Sequence, residues 1–139
     1  MVPEHMNVEL KIAKGQPGID AGLENIAQPS PYACPECHGV LMKLEQEGRV
    51  RFRCHTGHAY SVHSLLAAVN EGIDESLWNS IRCLEEGSLL LQHMSDHAAG
   101  DLNAGDAGRL SAAATQARDH AGVIRELAEK TGHGAGEAP

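Results

Sequence analysis

Cysteine and histidine carry the chemistry most plainly written in this sequence. Cys34-Pro35-Glu36-Cys37 is followed, after sixteen intervening residues, by Cys54-His55-Thr56-Gly57-His58. Two thiolates three positions apart in a tight turn can point at one ion, and a hairpin between the two knuckles returns the second beside the first. That is the spacing of a zinc ribbon. Gly57 is free to take the left-handed or otherwise tight backbone that lets His58 reach the ion. His38 and His55 compete for the fourth place, but each directly follows a ligand cysteine, so the set is read as Cys34, Cys37, Cys54 and His58. Four such ligands fill a tetrahedral shell and leave no open position for a catalytic water. Soft thiolates with one imidazole also favour Zn2+ over Mg2+ or Ca2+. The site reads as structural, with metal binding coupled to folding by an apparent free energy on the order of 10–16 kcal/mol in small-peptide systems.

The remaining candidates have ordinary readings beside their functional ones. Cys83 falls in a helical stretch one residue before the apolar position Leu84 and reads as a buried, inert thiol. His93 and His97 have the i, i+4 spacing of a two-imidazole metal site, with His120 on the helix expected to face them; two histidines on a solvated helix face are more often just that. Arg49, Arg51 and Arg53 alternate along one strand, opposite Val50 and Phe52. Such a row is ordinarily a solvated strand face; its functional reading is an anion or nucleic-acid contact. No aromatic residues interleave with it for base stacking.

Several elements are needed to position these groups. Val40, Met42 and Leu44 alternate, as do Val50 and Phe52, and Glu47-Gly48 supplies turn chemistry between them, which predicts a β-hairpin joining the knuckles. Upstream, Val8, Leu10 and Ile12 alternate with polar residues and predict an added N-terminal strand over Asn7 to Ile12. The Gly- and Pro-rich stretch from Ala13 to Pro31 reads as a connection with one helical turn near Leu23 to Ala27. Downstream, Ser61 is a suitable N-cap for a short helix carrying Val62, Leu65, Leu66 and Val69, which Gly72 ends or bends. A long helix from about Asp74 to Ala98 repeats Leu77, Ile81, Leu84, Ser88, Leu91, Ser95 and Ala98. After a turn over Gly100 to Gly108, a second long helix repeats Leu110, Ala114, Ala117, Ala121, Ile124 and Ala128. The two predict an antiparallel helical hairpin with a thin, alanine-rich seam, a construction that favours dimerisation or a protein partner.

Composition narrows the choices. The chain has 139 residues, 42% hydrophobic, but only one Phe, two Tyr and one Trp, so its cores must be built from aliphatic residues and a metal would make up the shortfall. A formal charge of −8 argues against a general nucleic-acid or anionic-membrane binder. No apolar run approaches the ~20 residues of a bilayer span and no signal-peptide pattern opens the chain, so a cytoplasmic protein is expected. There, cysteines serve as ligands or thiols more readily than as disulfides.

The segments PSPYACPECHGVL and VRFRCHTGHAYSVHSLLAAVNE, followed by a helical hairpin, resemble the C-terminal extension of CheB-type chemotaxis methylesterase-like proteins over about Val8 to Leu127, with Leu77-Trp78 at the place of a Leu-Trp pair. The methylesterases use a Ser-His-Asp triad on a large α/β domain, and nothing here supplies a nucleophile elbow. The resemblance thus implies the accessory region as a stand-alone chain, without catalysis. The paired knuckles are also similar to the small zinc module of certain ribosomal-RNA methyltransferases.

These readings combine into one expectation. The fold is α+β, with a zinc ribbon and its linker over residues 1–60, a helical region over 61–131 and a disordered tail over 132–139. Its function is that of a non-enzymatic, zinc-binding interaction module, an accessory in chemotaxis-type signalling. The alternatives are a nucleic-acid-binding ribbon using Arg49, Arg51 and Arg53, and a thiol redox or zinc-release sensor.

Overall fold

The computed structural model describes residues 1–97 and 104–132, and the chain divides into two units, Met1–Asn70 and Glu71–Pro139. The first unit opens with helix α1 (Glu4–Ala13), where a strand was expected. Val8 and Ile12 satisfy both periods, two and i, i+4; Leu10 decides between them. It is 52% exposed while Val8 and Ile12 are buried, and this is a helical stripe. Glu4 in the first turn and Lys11 in the last suit the helix dipole. A short helix α2 (Gly18–Ala21) and a 3-10 turn (Leu23–Asn25) follow, the latter where the sequence predicts a helical turn.

Four antiparallel strands, in the order β1-β2-β3-β4, form the sheet: β1 (Gln28–Ala33), β2 (Val40–Gln46), β3 (Arg49–Arg53) and β4 (Ala59–Ser61). The predicted hairpin is β2-β3, closed by Glu47 and Gly48 at φ 50° and 76°, with Gln46 opposite Arg49. β1 begins in the stretch whose Gly and Pro content predicts a connection. Its Pro29 and Pro31 are tolerated because it is an edge strand, and its register shifts between Pro29 and Ala33.

The sheet is buried on both faces. On one, Leu44 packs with Val8, Ile12, Ala21 and Leu23 of the N-terminal helices and turn. On the other, Leu41 and Phe52 pack with Leu65 and two of the cysteines, Cys34 and Cys54. The cores are small, and the sheet ends in the two knuckles.

Helix α3 spans Val62–His97. Ser61 caps it as expected: its Oγ accepts the Ser64 N–H at 3.0 Å, and Ser64 Oγ accepts the Ser61 N–H at 2.8 Å. The short helix and the following long one are continuous, because Gly72 and Gly87 both stay helical at a cost of only about 1 kcal/mol each.

In the second unit α3 pairs with α4 (Ala104–Gly132) as the expected hairpin. On α3, Ile81 and Ser88 are buried; on α4, Ala114, Ala121 and Ala128 are. The seam serines are satisfied across it: Ser88 Oγ donates to the Ala114 carbonyl at 2.8 Å and Ser95 Oγ to the Ala107 carbonyl at 2.9 Å. Arg125 pairs with Glu85 and lies over the Trp78 ring, 5.7 Å from its centroid. Ala104 to Gly108, expected in the turn, is already helical. Ala98, the rest of that turn and the expected tail beyond Gly132 lie outside the described residues.

Candidate metal centre

The first knuckle follows β1. His38 donates its backbone N–H to the Cys34 carbonyl at 2.8 Å, and Cys34 N–H bonds the Gly39 carbonyl at 2.7 Å, so the chain folds back with Cys34 and Cys37 on one side. The second knuckle, between β3 and β4, repeats the device: Cys54 N–H donates to the His58 carbonyl and Gly57 N–H to the Cys54 carbonyl, both at 3.1 Å. Gly57 has the positive φ, 107°, that the sequence reading asked of it, and a Cβ there would also come within 3.1 Å of Ile12.

The two knuckles bring the ligand atoms of Cys34, Cys37, Cys54 and His58 within 4.8 Å of one another. His58 Nδ1 is 3.4 Å from Cys54 Sγ and 3.6 Å from Cys34 Sγ. In a tetrahedron with bonds of about 2.3 Å to sulfur and 2.05 Å to nitrogen, the S···N edge is about 3.6 Å. The four residues therefore have the donor chemistry and the spacing to hold a metal ion. The competing imidazoles are accounted for: His55 turns its ring onto Gly39, where a Cβ would lie 2.5 Å from ring atoms, and His38 is exposed at φ 62°.

Three neighbours that the sequence did not single out complete the surroundings. Thr56 Oγ1 lies 2.9 Å from Cys54 Sγ and donates to Cys37 Sγ at 3.5 Å. Glu36 Oε2 lies 2.9 Å from His58 Nε2, and Glu36 Oε1 accepts a hydrogen bond from Tyr60 Oη at 2.8 Å. Glu36 meets His58 and Tyr60 only once the chain has folded back, and Thr56 bonds both its own knuckle's Cys54 and the other knuckle's Cys37.

The thiols are differentiated by position. Burial pushes Cys34 up, against the pull of the Cys37 and Glu36 backbone N–H groups. At Cys54 burial also raises the thiol, but the Thr56 hydroxyl and the His58 N–H outweigh it and leave it lowered. Half-exposed Cys37 is lowered to about 7, first by the Thr56 hydroxyl and then by the Gly39 N–H. Burial and the adjacent Glu36 raise the Tyr60 phenol.

The arginine row faces α1. Arg53 pairs with Glu9 and donates to the Gly57 carbonyl at 3.0 Å, so it braces the second knuckle. Arg51 reaches Glu9 at 3.7 Å and Gln46 at 3.2 Å; Arg49 is exposed. Cys83, expected to be buried, is exposed on α3, because position 83 falls beside the seam residue Leu84 rather than on it. His93 and His97 stack with ring centroids 4.0 Å apart, and among the described residues they and His120 form no further metal-ligand group. Among the described residues no helix is long and apolar enough to cross a membrane. No family model, curated protein or solved structure matches the chain.

Proposed function

We propose that the first unit is a structural Zn2+ module and that the chain acts through interactions rather than catalysis. The observation that carries this reading is the convergence of three sulfurs and His58 Nδ1 within 4.8 Å. When bound, the ion supplies a cross-link between the knuckles; thiolates and one imidazole suit zinc, and four protein donors leave no place for a reacting water. A chain acting by interaction needs exposed apolar surface, and Val62, Leu66 and Val69 of α3 provide it beside a groove of about 660 Å³ lined also by Pro31, Tyr32 and Phe52. The resemblance to the CheB-type extension carries the same proposal toward chemotaxis-type signalling and rests on the quoted segments alone.

Arginine pairing does not favour the nucleic-acid alternative, since Arg51 and Arg53 already face Glu9. Sensing by metal release has one supporting observation: Cys37 is the one of the three thiols that solvent reaches, so an oxidant such as peroxide would open the site there first.

Metal content tests the main reading. Purified under reducing conditions, the chain is expected to carry one zinc, to lose it in Cys34→Ser and His58→Ala, and to keep it in Cys83→Ser. A Cys83→Ser protein without zinc would overturn the ligand assignment.

A further inference from the structure

The imidazole of His58 has two distinct ends. Its Nδ1 faces the sulfurs, and its Nε2 points outward to the Glu36 carboxylate at 2.9 Å. The backbone accounts for this choice. His58 N–H donates to Cys54 Sγ at 3.3 Å, which holds the main chain against the site, so the ring nitrogen nearer Cβ is the one that faces inward. A neutral imidazole carries one proton, and whichever nitrogen donates it cannot also ligate. Glu36 itself is clamped from the far side: Tyr60 Oη donates to Oε1 at 2.8 Å, leaving Oε2 for the ring.

Resting on the metal reading above, the geometry points to Glu36 as the positioning residue of the centre: it accepts the Nε2–H proton of His58, fixes the tautomer that presents Nδ1 to the metal, and is itself held by Tyr60. A carboxylate behind a ligating histidine makes the imidazole a better donor and fixes its ring plane. Glu36 therefore joins the two knuckles, since it lies between Cys34 and Cys37 in the first and bonds His58 of the second. The Pro-Glu dipeptide inside the CPEC knuckle gains a role that its ligand spacing alone does not require.

Removal of such a partner typically costs 10- to 100-fold in metal affinity; Glu36 and His58 have side chains 60% and 35% exposed, so solvent screening places the expected loss near the lower end, about 10-fold. The experiment uses the full chain with zinc itself as the probe. Zinc affinity is measured by chelator competition at neutral pH for wild type, Glu36→Ala, Glu36→Gln and Tyr60→Phe. In parallel, long-range 1H–15N correlation of the labelled, zinc-loaded wild-type protein reads the His58 tautomer. The expected results are Nδ1 metallated and Nε2 protonated, zinc bound about 10-fold more weakly by Glu36→Ala, and an affinity close to wild type in Glu36→Gln, whose amide oxygen still accepts the proton. Tyr60→Phe should fall between Glu36→Ala and wild type. Glu36 is exposed, so neither of its substitutions removes core packing. A wild-type chain that binds no zinc overturns the metal reading and this inference with it. If wild type binds zinc while Glu36→Ala binds it equally well, or Glu36→Gln is as weak as Glu36→Ala, or His58 is metallated at Nε2, this inference alone fails.

Discussion

Leu44→Ala should weaken zinc binding although Leu44 touches no ligand. Leu44 is 1% exposed and sits in the cluster formed with Val8, Ile12, Ala21 and Leu23, on the sheet face away from the buried cysteines. Truncating a fully buried leucine costs about 2–5 kcal/mol, the range reflecting how far the surroundings collapse. Here Met42 packs against the same cluster, and a flexible thioether can follow into the space, so about 2 kcal/mol is the appropriate figure. Where the metal-free unit is unfolded, binding free energy is also folding free energy, and a penalty on the folded state appears in full as lost affinity. At about 1.4 kcal/mol per factor of ten, the apparent zinc Kd of Leu44→Ala should rise about 30-fold.

The assay is competition against a chelator of known affinity, in reducing buffer at neutral pH, with Leu10→Ala as control. Leu10 lies on the same unit but is 52% exposed, so its truncation should leave the affinity nearly unchanged. Circular dichroism of the metal-stripped proteins shows directly whether sheet and α1 persist. An unchanged Kd in Leu44→Ala would refute the reasoning, because it would mean that the unit folds without metal and that the cavity cost is shared equally by the two states.

Two further outcomes follow from other parts of the molecule. Where circular dichroism shows that the metal-stripped Cys83→Ser protein keeps its sheet, iodoacetamide should modify Cys37 first, with half-maximal rate near pH 7 since a lowered thiol gains its reactive thiolate as pH rises through about 7, and Cys34, raised by burial, last, whereas an unfolded apo unit should show no such order; mass-mapped alkylation against pH checks the order, and zinc should suppress all three reactions. In the helical hairpin, Ser88→Leu should destabilise more than Ser88→Ala despite being more apolar: the alanine loses one hydrogen bond to the Ala114 carbonyl, about 1 kcal/mol, whereas the leucine meets an Ala114 that is 0% exposed and must overpack the seam. Guanidinium denaturation of the two variants ranks them.

The convergence of Cys34, Cys37, Cys54 and His58 was legible in the sequence because knuckle geometry is local: a Cys-x-x-Cys turn, a glycine before His58 and a hairpin of fixed length determine where the donors meet. The β2-β3 turn and the helical seams were legible for the same reason, as each is set by residues within a turn or two of one another. α1 was not, since Val8 and Ile12 fit both periods and only the exposure of Leu10 separates them. β1 was hidden by Pro29 and Pro31, which are admitted only because its outer edge is unpaired, a fact of sheet order rather than of sequence. Glu36, Thr56 and Tyr60 were missed because their roles exist only after the knuckles close. Cys83 shows the limit of a helical repeat: one position beside the seam is enough to turn an expected core thiol outward.

The two units are stabilised in opposite ways, and this bears on what each is for. The first has two small cores, with Leu23, Leu41 and Leu44 as its largest fully buried side chains, and its two buried cysteines lie in the second of those cores, so the candidate metal centre and the packing share the same residues. The second has an alanine-rich inner seam held in register by Ser88 and Ser95, while Leu89, Leu90, Met94, Val123 and Leu127 stand more than half exposed. A hairpin selected only for its own stability would place the large residues inside and the alanines outside, at about 25 cal/mol for each Å² of apolar area removed from water. Here the seam holds Ile81 and the half-buried Leu77, Leu84, Leu91, Leu110 and Ile124 beside its alanines, while Leu89, Leu90, Met94, Val123 and Leu127 stay at the surface. We propose that this exposed apolar surface of the hairpin is covered by a partner or by a second copy of itself, and α3 has a capped beginning at Ser61.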